Sequence, residues 1–498
     1  MISEREIAEA ILAECNKLIR RYESYHNSLH AECIRIERRT GSAPNKEVFK
    51  PAYWGKDRKF DPFYCRGKAK AIAKSIAKKI NERSYSPGVA YETQKPKPSG
   101  GFRTLRIYQI PDAVISKIVY KRLLKKNKHR FSSFSYAYRD DRNVHCAIQD
   151  LYSDISEFGR VYVAEYDFSD FFGNISHKHL RAQLNSPGIL VTEEDKWLIE
   201  RFLLPEKGIP QGTSVSLFLA NVACMSLDKS LERTGVKFAR YADDTVIFSN
   251  SYESICKSVD CLGDFSRDSG VEINYEKSSG IHLLGDDPRL LEIRSKNGVD
   301  FLGYTISKGR LSIKVSSERK IKKHISYLIY RNLIQPVRGA LLRSVSVPIA
   351  RDKDLLVAMM QVRRYICGGL RKSELHNYLR QGGGEIRFRG VMSFYPLVDD
   401  DDQLRAMDGW LTSTLYRAIK LRGRLYAAKG HPSVLRGFPF SLPRSKFIPA
   451  MDSHKINGAS LLDIPSFLLI NLAMRKAMKE HGIAYVMDPR SSLYAYRQ

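Results

Sequence analysis

The sequence lacks closely paired cysteines. None of its eight cysteines forms a C-x-x-C pair, and they are scattered along 498 residues. Zinc sites and small disulfide-stabilised domains use short, repeated cysteine spacings, so neither is predicted. We expect reduced cysteines that pack inside an intracellular, cytoplasmic protein. The eight are Cys15, Cys33, Cys65, Cys146, Cys224, Cys256, Cys261 and Cys367.

Signals for export and for membrane insertion are also missing. The first six residues are polar and acidic, which does not resemble a signal peptide. No apolar run approaches the roughly 20 residues that cross a bilayer. We therefore expect no membrane partner.

Acidic residues are scarce relative to basic ones. The chain has 82 lysines and arginines against 54 aspartates and glutamates, a formal net charge of +28. A strong positive charge does not determine a fold, but it favours a polyanionic partner. We expect nucleic acid; a basic surface that serves only solubility is the alternative.

Two adjacent carboxylates stand out among the few acids. Asp243 and Asp244 lie between two apolar, β-prone runs within residues 238–248, which predicts a hairpin with Ala242 and Asp243 at its turn. Burying two acids there would cost several kcal/mol unless a cation neutralises them, and hard divalent cations take carboxylate oxygens. An ordinary aspartate-containing turn is the alternative.

A third acid and a glycine-proline loop precede this hairpin. Residues 162–166 alternate as a strand does and end at Asp167, with Phe171, Phe172 and a helix following. The sequence Gly-Ile-Pro-Gln-Gly at 208–212 then opens the apolar run 217–222. The two glycines allow close approach of the backbone to a ligand.

In this order, the three segments resemble the A, B and C motifs of reverse transcriptases. Residues 270–278 and 301–306 resemble the D and E motifs, so the likeness covers roughly residues 85–315. It implies an α+β, right-hand polymerase fold with fingers, palm and thumb. We expect an N-terminal helical extension (1–84), fingers and palm (85–315), a helical thumb-like region (316–430) and a helical tail (431–498).

The resemblance also implies a two-metal active site. Asp167, Asp243 and Asp244 would converge on two Mg²⁺ ions about 3.5–4 Å apart, with Mn²⁺ as a possible substitute. The backbone carbonyl of Phe168 would be a further ligand. Asp244 is the most replaceable of the three acids.

Further residues are expected at the nucleotide. By the same likeness, a Gly-Gly hairpin would bring Arg103 and one of Lys95 or Lys97 to the triphosphate, and Lys277 would approach it from the D motif. Asp170 and Phe171 would line the pocket, and Gln211 would contact nucleotide or template. Phe172 would be the steric gate that excludes a ribose 2′-OH, so deoxynucleotides are favoured; simple core packing is its alternative role. The nucleotide-binding candidates are Lys97, Arg103, Asp170, Phe171, Phe172, Gln211 and Lys277.

The cellular role rests on resemblance alone. No HNH-like, RNase H or protease pattern is visible, and the helical extension and tail resemble bacterial antiphage-defence reverse transcriptases, most closely the type nine enzymes. That likeness implies a non-coding RNA template, a DNA product made from dNTPs, poly-deoxyadenylate synthesis and an RNA-scaffolded homo-oligomer. A retron or group II intron enzyme, an RNA-binding maturase without polymerase activity and, disfavoured by Phe172, an RNA polymerase are the alternatives.

The tail suggests a primer. Tyr494 and Tyr496 lie near the terminus among small residues, where a phenol could reach a cleft and act as the first nucleophile. Docking of these rings on the protein surface, or priming by an RNA hydroxyl, are the alternatives.

Overall fold

The structure is a computed structural model of the chain. It describes residues 2–45, 47, 49–97, 100–285, 293–338, 352–381, 386–456 and 458–487. These form two compact units: Met1–Ser28 with Glu47–Val299, and Leu29–Lys46 with Asp300–Gln498. The candidate carboxylates Asp167, Asp243 and Asp244 all belong to the first unit.

The first unit is mainly helical. Its helices begin where side chains satisfy free backbone N–H groups: Asn143 accepts from the N–H groups of His145 and Cys146, and Thr192 forms a reciprocal cap with Asp195. The helices are α1 (Glu4–Thr40, whose last part belongs to the second unit), α2 (Pro62–Gly67), α3 (Ala69–Asn81), α4 (Ile110–Asn127), α5 (Val144–Glu157), α6 (Phe171–Asn174), α7 (His177–Leu184), α8 (Glu193–Phe202), α9 (Val215–Ala223), α10 (Met225–Arg233) and α11 (Tyr252–Ser269).

Two sheets complete this unit. An antiparallel hairpin joins β1 (Tyr91–Pro96) to β2 (Phe102–Ile107), with Lys95 opposite Arg103. The central sheet has the strand order β4-β5-β3-β6-β7, and only the β6–β7 pair is parallel. Its strands are β3 (Tyr162–Tyr166), β4 (Lys237–Tyr241), β5 (Asp244–Ser249), β6 (Gly280–Leu284) and β7 (Ser295–Lys296).

The core of the first unit lies beneath the central sheet. Ala164, Ile247 and Phe238 from the strands pack with Phe218 and Leu219 of α9, and all five are almost fully buried. Alternate strand residues point to opposite faces, so this packing fixes which side chains remain at the strand ends. It places Asp167 and Asp243 at one edge of the sheet.

The second unit combines a small sheet with helices. Its strands β8 (Val299–Phe301, whose first residue belongs to the first unit), β9 (Tyr304–Ser307) and β10 (Arg310–Ile313) form one sheet in the order β10-β9-β8. The helices are α12 (Val315–Ile329, followed by a π-helical turn at Tyr330–Ile334), α13 (Gln335–Arg338), α14 (Lys353–Cys367), α15 (Lys372–Gln381), α16 (Asp401–Ala428), α17 (Arg444–Ser453), α18 (Phe467–His481) and α19 (Ile483–Val486).

The acidic run 399–402 has a structural role in the second unit. Asp400 caps α16 by accepting from the N–H of Gln403 at 3.1 Å, as expected for acids at a helix N-terminus. Asp399 accepts from the N–H of Leu311 at 2.6 Å, and Asp400 also accepts from the hydroxyl of Ser312 at 2.7 Å. The run therefore ties α16 to β10.

Two further expectations concern cysteines and membranes. All eight cysteines are free, and Cys15, Cys65, Cys224 and Cys367 are buried. None of the helices in the described ranges combines the length and apolarity that crossing a membrane requires.

Candidate active site

The pairing of the central strands brings two carboxylates together. β3 runs antiparallel to β5 with Tyr166 opposite Thr245, and Asp167 follows directly after β3. The β4–β5 hairpin turns at Ala242 and Asp243, as predicted from the sequence. The end of β3 and the hairpin turn therefore lie side by side, with one half-buried aspartate on each.

The charge balance at this edge is unfavourable without a cation. Burial raises the pKa of Asp243, and the negative charge of Asp167 raises it further, while Arg103 and Lys277 lower it. A raised pKa means that the ionised carboxylate is less stable here than in water. The site thus holds two carboxylates that repel each other, with two cationic side chains in electrostatic range.

Asp167 has one carboxylate oxygen that no hydrogen bond satisfies. Its Oδ2 lies 3.1 Å from Nζ of Lys277, an ion pair whose angles do not meet those of a hydrogen bond. The same oxygen is buried, and no donor among the described residues hydrogen-bonds to it. Lys277 lies in the segment 270–278, which resembles the D motif. In the same segment, the N–H of Asn274 donates to the backbone carbonyl of Asp167 at 2.8 Å, which anchors the segment to the end of β3.

These features fit a divalent cation. A buried carboxylate oxygen without a hydrogen-bond donor, beside a second desolvated carboxylate, offers hard oxygen ligands to a hard ion. The third predicted acid, Asp244, opens β5, and its side chain is exposed where those of Asp167 and Asp243 are half-buried. Consistently, no group of three His, Cys, Asp or Glu side chains in the described residues is arranged to hold a metal.

The Gly-Ile-Pro-Gln-Gly loop packs against two parts of the site. The carbonyl of Gln211 accepts from the N–H of Arg106 at 2.9 Å, which joins the loop to β2. Gly212 has φ +130°, and a Cβ there would lie 1.9 Å from the carbonyl oxygen of Arg106, so only glycine fits. The N–H of Ile209 donates to the carbonyl of Phe172 at 2.7 Å, which joins the same loop to the residue expected as the steric gate.

Phe171 and Phe172 have different surroundings. Phe171 is buried and its ring centroid lies 6.1 Å from that of Phe168, whereas Phe172 is only half-buried. The ring of Tyr138 meets Phe172 edge to face, with centroids 6.5 Å apart. Burial and then the charge of Asp243 raise the pKa of Tyr138 to about 12, so its phenol lies near the hairpin turn. The half-buried ring, Phe172, is therefore the one that a bound nucleotide could meet.

The remaining nucleotide candidates lie around this edge. Arg103 is exposed on β2, and its charge acts on Asp243 and Tyr138. The N–H of Lys97 donates to the carbonyl of Gly101 at 3.0 Å in the β1–β2 turn. Asp170 is exposed with φ +41°, beside Gly173, where a Cβ would collide with its carboxylate. Among these residues, Arg103 acts electrostatically on Asp243.

One residue at the site was not singled out from the sequence. Arg240 lies fully buried in β4 between apolar neighbours. A fully buried arginine requires a carboxylate partner, and this was the signal that could have identified it. The partner, Asp228, is on α10, and its location is not encoded near Arg240 in the sequence.

Comparison with known proteins identifies the class of domain. Residues 95–306, less than half of the chain, match the family model described as "Reverse transcriptase (RNA-dependent DNA polymerase)". The match contains β2, the end of β1, the central sheet and the three candidate carboxylates, Asp167, Asp243 and Asp244. It confirms the predicted enzyme class, an RNA-directed DNA polymerase, and the α+β right-hand polymerase fold.

Three curated proteins illustrate the range of relatives. Protein YkfC of Escherichia coli is 22% identical over 267 residues, 43% of this chain and 70% of that protein. The retron Ec86 reverse transcriptase of Escherichia coli is 23% identical over 285 residues, 55% of this chain and 81% of that protein. The putative COX1/OXI3 intron 2 protein of Saccharomyces cerevisiae is 23% identical over 466 residues. The matched region covers 76% of this chain but 50% of that protein.

Two predicted site residues lie in the tail. Tyr494 and Tyr496, the candidate priming residues, lie outside the described residues, which end at 487. Their role stays a prediction from the sequence.

Proposed function

We propose that Asp167 and Asp243 form the catalytic centre at which this reverse transcriptase extends DNA on an RNA template. The observation that carries the proposal is the buried Oδ2 of Asp167, which lacks a hydrogen-bond donor and lies beside the desolvated Asp243. Carboxylates left short of protein donors at a strand end are suited to an external cation. Mg²⁺ bound there would lower the pKa of the attacking hydroxyl and stabilise charge on the departing oxygen.

The surrounding residues would bind and orient the substrate. Addition of a nucleotide joins the 3′-oxygen of the primer to the α-phosphorus of the dNTP. The bond between this phosphorus and the pyrophosphate oxygen breaks. The positive charges of Arg103 and Lys277 would hold the triphosphate, since both act electrostatically on Asp243 and Lys277 also pairs with Asp167. Asp244 is proposed as a replaceable ligand and the Phe168 carbonyl as a further one, while Phe172 would limit the sugar to deoxyribose.

Nucleotide contacts from the other candidates complete the proposal. Gln211 is held beside β2 through its backbone, so its half-buried side chain is available to nucleotide or template. Lys97, Asp170 and Phe171 are proposed to line the triphosphate and sugar sides of the pocket. This arrangement favours a polymerase over a maturase without activity, because the carboxylate pair would otherwise have no role to offset its repulsion.

The finer biological assignments rest on the sequence resemblance. We propose a dedicated non-coding RNA as template, a role in antiphage defence like that of the type nine enzymes, and poly-deoxyadenylate as product. An oligomer assembled on RNA, priming by Tyr494 or Tyr496, and the four-part division of the chain are proposed on the same basis. A retron or intron type of reverse transcriptase is the alternative, and the retron and intron relatives favour it.

Primer extension tests the catalytic centre. The purified chain is given an annealed DNA primer on an RNA template, dNTPs and Mg²⁺, so that the natural primer is not needed. Asp167→Asn should reduce the rate by roughly 1000-fold, since loss of metal-held charge is worth several kcal/mol. Glu276→Gln removes one exposed acid beside Lys277 and should keep the rate. Equal rates for Asp167→Asn and the wild type would refute the proposal.

A further inference from the structure

Arg240 forms a buried ion pair with Asp228. Its Nε and Nη2 donate to the two carboxylate oxygens of Asp228, each at 2.6 Å, and neither side chain is exposed by more than 2%. This two-bond geometry is the strong, directional form of an arginine–carboxylate pair. The guanidinium is therefore fixed in one orientation.

The same guanidinium also reaches the hairpin turn. Its Nη1 donates to the carbonyl of Ala242 at 3.1 Å. Ala242 has φ +62°, a left-handed conformation that costs a residue with a Cβ about 1–2 kcal/mol. The bond from Arg240 offsets part of this cost, and it holds the peptide group that directly precedes Asp243.

Neighbouring segments restrain Arg240 further. Its Nη2 donates to the hydroxyl of Ser135 at 2.8 Å. Its backbone N–H donates to the carbonyl of Phe134 at 2.9 Å, and its own carbonyl accepts from the N–H of Tyr136 at 3.0 Å. The arginine thus joins α10, the segment before α5 and the hairpin turn in one buried polar cluster.

We propose that Arg240 is a positioning residue that holds the Ala242–Asp243 turn so that the carboxylate of Asp243 meets a divalent cation beside Asp167. The inference rests on the proposed function. Groups that orient metal ligands from behind typically contribute about 10–100-fold to metal affinity or activity. A core ion pair that serves stability alone would leave metal affinity unchanged.

The second unit contains a matched control. Arg422 is equally buried, its Nε and Nη2 donate to Asp352 at 3.0 and 2.9 Å, and its Nη1 donates to the carbonyl of Leu333 at 2.6 Å. Like Arg240, it donates to a carboxylate and to a backbone carbonyl, and it also donates to Asp354 at 3.2 Å. No proposed metal ligand follows Leu333, so loss of the Arg422 guanidinium should affect stability alone.

The experiment compares Arg240→Lys with Arg422→Lys in the full chain. Lysine keeps the positive charge but loses the planar fork, so it cannot serve carboxylate and carbonyl together. The readouts are the melting temperature and Mn²⁺ binding without nucleic acid, followed by paramagnetic resonance. We expect both variants to melt at lower temperature and only Arg240→Lys to bind Mn²⁺ about 10–100-fold more weakly.

Asp243→Asn separates the inference from the proposed function. If Asp243→Asn loses Mn²⁺ binding while Arg240→Lys binds it as the wild type does, Arg240 is not a positioning residue. If Asp243→Asn also binds like the wild type, the proposed metal site is overturned, and the inference fails with it. Should Arg240→Lys not fold, the apolar pair Asp228→Leu with Arg240→Met, a replacement that cores often tolerate, decides in the same way.

Discussion

Carboxylates in the two units differ in how completely the protein satisfies them. In the second unit, Asp399 and Asp400 accept hydrogen bonds from backbone and hydroxyl groups, and Asp352 holds the guanidinium of Arg422. In the first unit, the buried Oδ2 of half-buried Asp167 is ion-paired with Lys277 but has no hydrogen-bond donor in the described residues, and Asp243 is desolvated beside it. Satisfied carboxylates stabilise a fold, whereas unsatisfied ones at a strand end indicate a site for something that the protein binds.

The largest effect is expected at Asp243. Asp243→Ala should reduce primer extension by roughly 1000-fold, because a ligand of the catalytic metal is lost. Its folded-state pKa is raised, so ionised Asp243 destabilises the fold at neutral pH and its removal should not lower the melting temperature. Rate and melting temperature measured on one preparation check both parts. A variant that unfolds, or that retains the wild-type rate, would contradict this prediction.

At Asp352, in contrast to Asp243, substitution is expected to lower the stability of the fold. Asp352→Ala leaves the buried Arg422 without its principal partner and should lower the free energy of unfolding by about 3 kcal/mol. Denaturant titration of the full chain, followed by a probe in the second unit, measures the change. A loss below about 1 kcal/mol would place this pair with ordinary exposed ion pairs and weaken the contrast between the units.

A smaller effect is expected at the half-buried ring of Phe172. Phe172→Val should open space at the sugar 2′ position and raise the ratio of rNTP to dNTP incorporation by about 10-fold or more. Phe218→Leu changes a fully buried phenylalanine of α9 and should leave the ratio unchanged. Retained activity with an unaltered ratio in Phe172→Val would remove this residue as the gate.

The smallest effect per residue is expected from the many basic side chains that together would bind RNA. With a net charge of +28, RNA binding should weaken steeply with salt, because each phosphate contact releases condensed counterions. A plot of log affinity against log salt should fall by about 0.7 for every contacted phosphate of single-stranded RNA. An affinity that stays level from low to moderate salt would show that the excess charge does not contact RNA.

Local patterns predicted the parts of the site that are local in sequence. The hairpin turn at Ala242 and Asp243 and the strand that ends before Asp167 both depend on a few adjacent residues.

Long-range contacts could not be predicted in this way. The side chain of Arg240 donates to Asp228, Ser135, Asn221 and the carbonyl of Ala242, and nothing near Arg240 in the sequence marks the first three. The convergence of three acids was expected from family motifs, yet the side chain of Asp244 is exposed where β5 begins. Which side chain turns inward at a hairpin depends on the pairing of whole strands, and the adjacent residues alone do not determine this orientation.

The most direct test locates the metal on the chain. Fe²⁺ replaces Mg²⁺, ascorbate and peroxide generate hydroxyl radicals at the bound ion, and mass spectrometry maps the cleaved peptide bonds. We predict cleavage close to residues 167 and 243 that disappears in Asp243→Ala. Cleavage at the acidic run 399–402 instead, or cleavage at 167 and 243 that persists in Asp243→Ala, would contradict the assignment of this carboxylate pair as the metal site.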